Sequence, residues 1–254
     1  MWLRIGAVFA LVGIVGVAGA VLLFLHNQVQ PLGLAPAGLQ SPTASPSADD
    51  PLTLTCRQPA VPGNSSSGGV AGLWVIQPGS VAGYRAHEQF EQLTSPHVAV
   101  ARTSHLAGWI LVVGTAGTLM VQTGCIAVDV RTLRSVDSLP GFNTADRDET
   151  ARGMLNTDSH PFVVFQPYPA SLALDVGSTA AQKVHVKGDL EVSGVTRPET
   201  FSLDVRLQEG QLTVAGATTI QVLDFGVEVP QGAGGFVSVD PHISLEVSLI
   251  LIRP

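Results

Sequence analysis

Residues able to do chemistry are sparse in this chain, and their spacing assembles no catalytic signature. The seven histidines form no H-E-x-x-H and no pair at metal spacing. The two cysteines, Cys56 and Cys125, are far apart and make no C-x-x-C. No G-x-S-x-G elbow marks an activated serine. Neither a P-loop nor a G-x-G-x-x-G run opens a helix. Arg147-Asp148 is the pair most like a site; at a helix start the same two residues serve as an ion pair or a cap. Tyr84 carries a hydroxyl suited to a polar group in a cavity or to a hydrogen bond within a wall. From these residues we expect no enzyme and no cofactor.

The apolar positions say more. Within residues 183–205, Val184, Val186, Leu190 and Val192 alternate with His185, Asp189 and Glu191. After a break at residues 194–198, Phe201, Leu203 and Val205 alternate with Ser202 and Asp204. Strand side chains point to opposite faces with period two, so this is an antiparallel hairpin with one wet and one apolar face. We expect its connection to be longer than two residues, with Pro198 at the start of the second strand, because proline lacks a ladder donor.

Similar runs must hold this hairpin in place. Strands are expected at residues 74–76, 80–86, 98–102 and 105–113, with residues 89–96 irregular. A long run at residues 119–133 follows, bulged near Thr123-Gly124: Leu119 and Val121 share a face before the break, and Ile126, Val128 and Val130 do after it. Residues 143–155 change character. Asn143 or Thr144 caps a helix with Asp146, Asp148 and Glu149 in its first turn, and Ala151, Met154 and Leu155 make a packed face. Strands resume at residues 162–165, 171–177, 211–222 and 242–252. The last puts Ile243, Leu245, Val247, Leu249 and Leu251 on one side. Eight or so antiparallel strands with one short helix give an all-β sandwich or closed barrel. A closed eight-stranded barrel is filled by its own side chains or holds one slim ligand.

The chain has 254 residues, 45% hydrophobic and 13% charged, with mean hydropathy +0.33, net charge -7 and pI about 5.4. With no basic run or stacking-aromatic cluster, a nucleic-acid partner is not expected. Residues 5–25 carry no charge and are almost wholly apolar, long enough to span a bilayer, with Arg4 on the cytoplasmic side. A cleaved signal peptide is the rival reading; the apolar run exceeds the usual h-region, which favours a retained anchor. Three regions follow: a cytoplasmic tip and anchor at 1–26, a Pro/Ser/Gly-rich linker at 27–72, and a β domain at 73–254. The protein is then a single-pass cell-membrane protein with its β domain outside. In that oxidising compartment Cys56 and Cys125 form one bridge, worth roughly 4 kcal/mol in the chain-entropy model, or remain two unpaired thiols.

An ordered set of motifs resembles the YceI-like family. It comprises Trp74-Val75-Ile76, Ser80, Tyr84-Arg85, Arg102-Thr103, Leu133 and Ser135 with Arg147-Asp148, and Pro161 to Phe165. The most specific run is Gly188, Leu190, Gly194, Val195, Thr196, Arg197 and Pro198, and Asp224-Phe225-Gly226 completes the set. Where the family pattern opens with Asp-x-x-His-Ser, this chain reads Gln77-Pro78-Gly79-Ser80. The resemblance implies an extended lipocalin-like antiparallel barrel that binds a polyisoprenoid or quinone-type lipid, here in a membrane-anchored form. The expected cavity wall is Tyr84, Trp109, Leu119, Val121, Val128, Phe165, Val184, Val186, Leu190, Val192, Phe201, Leu203 and Phe225. The alternative is a ligand-free structural or interaction domain of a cell-surface complex.

Overall fold

Period-two alternation, sustained strand after strand, rolls the chain into a tube. The computed structural model describes residues 29–36, 50–59, 70–91, 96–115, 118–139, 141–172, 174–175, 177–231 and 237–254. The expected anchor at residues 5–25 and the Ser/Gly-rich end of the linker lie outside these. Among the described residues no helix is long and apolar enough to cross a membrane.

A short helix α1 (Pro51–Thr55) precedes the strands β1 (Gly72–Ile76), β2 (Val81–Phe90), β3 (His97–Thr103), β4 (Leu106–Thr115), β5 (Thr118–Asp129) and β6 (Arg134–Ser135). Helix α2 (Thr144–Met154) separates these from β7 (Phe162–Pro167), β8 (Ala170–Leu172), β9 (Gln182–Val192), β10 (Val195–Gln208), β11 (Gln211–Gln221), β12 (Val237–Val239) and β13 (His242–Ile252). The closed ring runs β1-β4-β5-β7-β9-β10-β11-β13 and returns to β1 through Val75 opposite Ile252 and Ile76 opposite Leu251. Every pairing in it is antiparallel, so the wall is an eight-stranded barrel with no free edge along that ring.

β1 and β2 share β13 as neighbour. β1 takes its C-terminal end and β2 pairs with Ser244 to Ser248. Together they fill one wall position, broken at residues 77–80. Ser80 holds the break closed: its hydroxyl donates to the Gln77 carbonyl at 2.8 Å and accepts from the Ile250 N–H at 2.9 Å. The segment that departs from the family pattern therefore does structural work, with Ser80 buried beneath the wall.

Three expectations need correction. The β9–β10 connection is a two-residue turn, because Ser193 (φ 50°) and Gly194 (φ 79°) both adopt the left-handed region that such hairpins require. Pro198 therefore lies inside β10, where it faces Asp189 of β9; β11 joins only from Ser202 onward. A missing donor is tolerated there because β10 has a single neighbour. The bulge expected near Thr123-Gly124 is present in β5 at the adjacent Gln122, since Leu111 pairs with Thr123 and Val112 with Val121. β2 continues to Phe90, past its expected end at Ala86 and two residues into the stretch expected to be irregular, with Ala86, Glu88 and Phe90 all buried.

The linker is not simply a tether either. Residues 32–35 lie along the outside of the barrel. The Leu32 N–H donates to Glu246 at 3.1 Å, Ser248 donates to the Gly33 carbonyl at 2.8 Å, and Arg206 donates to the Ala35 carbonyl. Glu246 is in turn held by Arg85 and Arg102, so this outer patch is a closed ionic network. Farther along, α1 is capped by the Asp50 carboxylate and packs against β4 and β5. Cys56 just beyond it is bonded to Cys125 of β5.

Candidate ligand cavity

Inward-facing side chains fill the barrel unevenly. At the β1 end, Trp74, Val112, Leu119, Val184, Val186, Leu212 and Leu251 form a closed apolar cluster. Trp74 is 1% exposed, and its indole N–H donates to the Val70 carbonyl at 2.9 Å. Above this plug the interior opens into a cavity of about 440 Å³. Ala82, Val214 and Leu249 belong to both the plug and the cavity lining, so they mark the floor. The upper walls come from β2, β5, β7, β9, β10, β11 and β13, and the mouth is framed by α2 and the segment around Val229 and Val237.

Phe165 and Phe201 meet edge to face on one wall, with centroids 4.9 Å apart. Gly188 makes room for this pair. A Cβ there would approach the Phe165 ring to 2.7 Å and the Gln166 carbonyl to 2.3 Å. Its place in the family motif follows from that close approach.

The structure divides the expected wall residues into four groups. Tyr84, Val128, Phe165, Leu190, Val192, Phe201 and Leu203 line the cavity. Leu119, Val121, Val184 and Val186 are buried at the β1 end, Leu119, Val184 and Val186 within the plug. Phe225 is buried in a second apolar cluster with Leu190, Val192 and Ile220, as the last residue of a 3-10 turn closed by Gly226. Trp109 belongs outside. It pairs with Cys125 across β4 and β5, and its indole N–H donates to the Cys56 carbonyl at 3.1 Å. Its size suggested a lining residue, but α1 supplies an apolar cover on the outer face as well.

A polar cluster at the mouth was missed in the sequence. Glu88 faces inward from β2 and His97 from β3, residues that pair directly across the two strands. Arg147 reaches from α2 to donate to Asp137 at 2.5 Å and to Ser135 Oγ at 2.7 Å, with a longer contact to Glu88 at 3.5 Å. Asp137 also accepts from the Val100 N–H at 2.8 Å and bonds His97 at 2.7 Å. Asp148 accepts from both the N–H and the hydroxyl of Ser135, at 3.0 and 2.6 Å. The Ser135/Arg147/Asp148 motif is thus a clip that fastens α2 to β6 beside the cavity. It stands close to the cap-or-ion-pair reading. The Ser135 hydroxyl is occupied on both sides, donating to Asp148 and accepting from Arg147.

Burial shifts these groups. It pushes Tyr84 up to about 12, against a partial pull from Arg147. It raises Glu88 above the usual glutamate range, with Arg147 and His97 opposing. For Asp137, burial also acts upward, but hydrogen bonds from Arg147, Val100 and His97 outweigh it and hold the group below its ordinary value. Burial disfavours the Arg147 charge, yet its bond to Asp137 and the fields of Asp137 and Glu88 keep it above the ordinary value. Stability from a depressed carboxylate is present above its unfolded pKa and lost as pH falls through the folded one. Asp137→Asn should therefore cost about 2–3 kcal/mol near neutral pH. The deficit should shrink below the ordinary aspartate value of about 3.9. Urea midpoints of the two proteins at neutral and acid pH check this, and a deficit independent of pH would contradict it.

Among the described residues, no group of three or more His, Cys, Asp or Glu side chains is placed to hold a metal ion. No curated protein matches the chain by sequence. Among solved structures, it is similar to a polyisoprenoid-binding domain from Saccharophagus degradans implicated in plant cell wall breakdown. The identity is 16% and the TM-score 0.50, over 72% of this chain and 99% of that one. BcnA from Burkholderia cenocepacia is 14% identical, with TM-score 0.49, over 69% of this chain and 98% of its own. These identities speak to the fold alone. The model of the YceI-like domain matches residues 92–251, from the end of β2 through nearly all of β13. With that match covering most of the chain and the eight-stranded barrel it requires in place, the chain belongs to the YceI-like family.

Proposed function

We propose that this protein binds and carries an amphiphilic lipid of the polyisoprenoid or quinone type in its barrel, tethered to a membrane by residues 5–25 with the barrel on the extracytoplasmic side. The observation that carries the reading is the blind-ended apolar cavity of about 440 Å³, open at one end and closed by a side-chain plug at the other. Apolar surface moved from water into such a tube contributes roughly 25 cal/mol per Å² before the costs of association. The polyisoprenoid-binding domain from Saccharophagus degradans, of the same fold, supports the ligand class. The bridge between Cys56 and Cys125 supports an oxidising compartment, and the apolar run at residues 5–25 supports the tether.

A ligand-free structural domain would fill its interior with its own side chains throughout. Here they fill one end only.

Two measurements test the reading. Organic extraction of the purified full chain, followed by mass spectrometry, should recover an isoprenoid-like amphiphile. Ala86→Trp should abolish that recovery, because Ala86 lines the cavity and an indole there occupies the tail's space. The ring enters a void, so the stability change should stay within the roughly 1–3 kcal/mol of ordinary overpacking. Lipid recovered equally from both proteins would place it somewhere other than the barrel.

A further inference from the structure

The chemistry at the cavity mouth selects among amphiphiles that share a tail. Arg147 is the one cation among the described residues that line the cavity, and it is fully engaged. Its Nε and Nη2 go to Ser135, Nη2 also goes to Asp137, and Nη1 faces Glu88. Around it stand the carboxylates Glu88, Asp137, Asp146 and Asp148, with His97 bonded to Asp137. At the N-terminus of α2 the Asn143 side chain already accepts from the Ala145 N–H and donates to Asp146, whose carboxylate adds negative charge there. A phosphate or diphosphate head entering this mouth would meet like charges and find no free cation. Two lining groups are less committed. Glu88 has only the long contact to Arg147. Tyr84 lines the cavity below it and makes no hydrogen bond to another described residue.

From this arrangement we infer that the lipid head is uncharged, a hydroxyl or carbonyl held by Glu88 and the Tyr84 hydroxyl, and that phosphorylated forms of the same tail are excluded. The inference rests on the lipid-binding reading and narrows it to a head chemistry.

Equilibrium dialysis of the purified full chain against farnesol, farnesyl diphosphate and the saturated hydrocarbon farnesane tests it, since the first two share one tail and the third has the same branched carbon skeleton without a head. Farnesol should bind at least tenfold more tightly than the diphosphate. Glu88→Leu should weaken farnesol about fivefold or more while leaving farnesane unchanged, a split that a misfolded barrel would not produce. Glu88→Gln, which keeps an acceptor for the hydroxyl, should retain farnesol. Diphosphate binding equal to or tighter than farnesol would overturn the inference, as would farnesol affinity indifferent to Glu88→Leu. Failure of all three compounds to bind would instead overturn the lipid-binding reading, and this inference with it.

Discussion

Cys56→Ser is expected to lower the unfolding free energy by about 4 kcal/mol, because the bond it removes closes a loop with a sequence separation of 69. In the chain-entropy model the bridge acts mainly on the unfolded ensemble, which can no longer separate the linker from β5. The native side adds a second contribution. Leu52 and Cys56 are buried over Trp109, Cys125 and Ala127, and the Cys56 carbonyl satisfies the Trp109 indole. Without the bridge this patch must be held by α1 alone, a helix of 5 residues that is too short to persist by itself. The loss is a large share of the roughly 5–15 kcal/mol typical of a folded domain. Urea unfolding of the wild-type chain with and without reductant, alongside Cys56→Ser and the double serine variant, separates the possibilities. All three perturbed states should shift together. Midpoints matching the oxidised chain would mean that the bridge adds nothing, and a serine variant far below the reduced chain would mean that the substitution itself does the damage.

Where strands alternate cleanly in one register, sequence and structure agree. Ile243, Leu245, Val247, Leu249 and Leu251 line one side of β13 as their spacing requires. The Asn143 cap and the Ala151/Met154/Leu155 face place α2 because capping and three-and-four spacing are local rules. The misread positions share a different cause, which is that a distant partner decides their environment. Glu88 occupies an inward position in β2, so alternation breaks there and the strand was expected to end early; Arg147, from α2, is what makes a carboxylate tolerable at that point. Trp109 has the bulk of a cavity residue, and only the fold-back of α1 explains an aromatic on the outer face. The β9–β10 connection was expected to be longer because a serine with positive φ is uncommon in general, yet Ser193 takes that conformation and with Gly194 completes a two-residue turn. The inward register was legible, and it places Tyr84, Val128, Phe165, Leu190, Val192, Phe201 and Leu203 on the cavity wall. The depth of the cavity was not. Val184 and Val192 carry the same signal in sequence, and only three-dimensional packing puts one in the plug and the other beside the void.

Trp74→Ala is the substitution that tests that depth, and it should act on stability and on ligand choice at once. Trp74 is among the largest fully buried side chains, and truncating such a residue costs about 3–5 kcal/mol through lost transfer energy and the void left behind. It also releases the Val70 carbonyl, which accepts the indole proton. The ligand effect follows from the size of the cavity. At the roughly 30 Å³ that a water-sized group occupies in a condensed phase, the 440 Å³ cavity holds on the order of 15 non-hydrogen groups. A tail of about that length fits above the plug, and a longer one must leave part of itself in the mouth, among Asp146, Arg147 and Glu88. Removing the indole lowers the plug and gives the longer tail apolar space. The affinity ratio of geranylgeraniol to farnesol should rise at least fivefold in Trp74→Ala relative to the wild-type chain. Should that variant prove too unstable to titrate, Val186→Ala thins the same plug with a smaller deletion and should move the ratio in the same direction. An unchanged tail-length preference in both variants would show that the plug does not set the depth of the site. A stability loss under about 1 kcal/mol for Trp74→Ala would show that this end of the barrel is less tightly filled than its burial indicates.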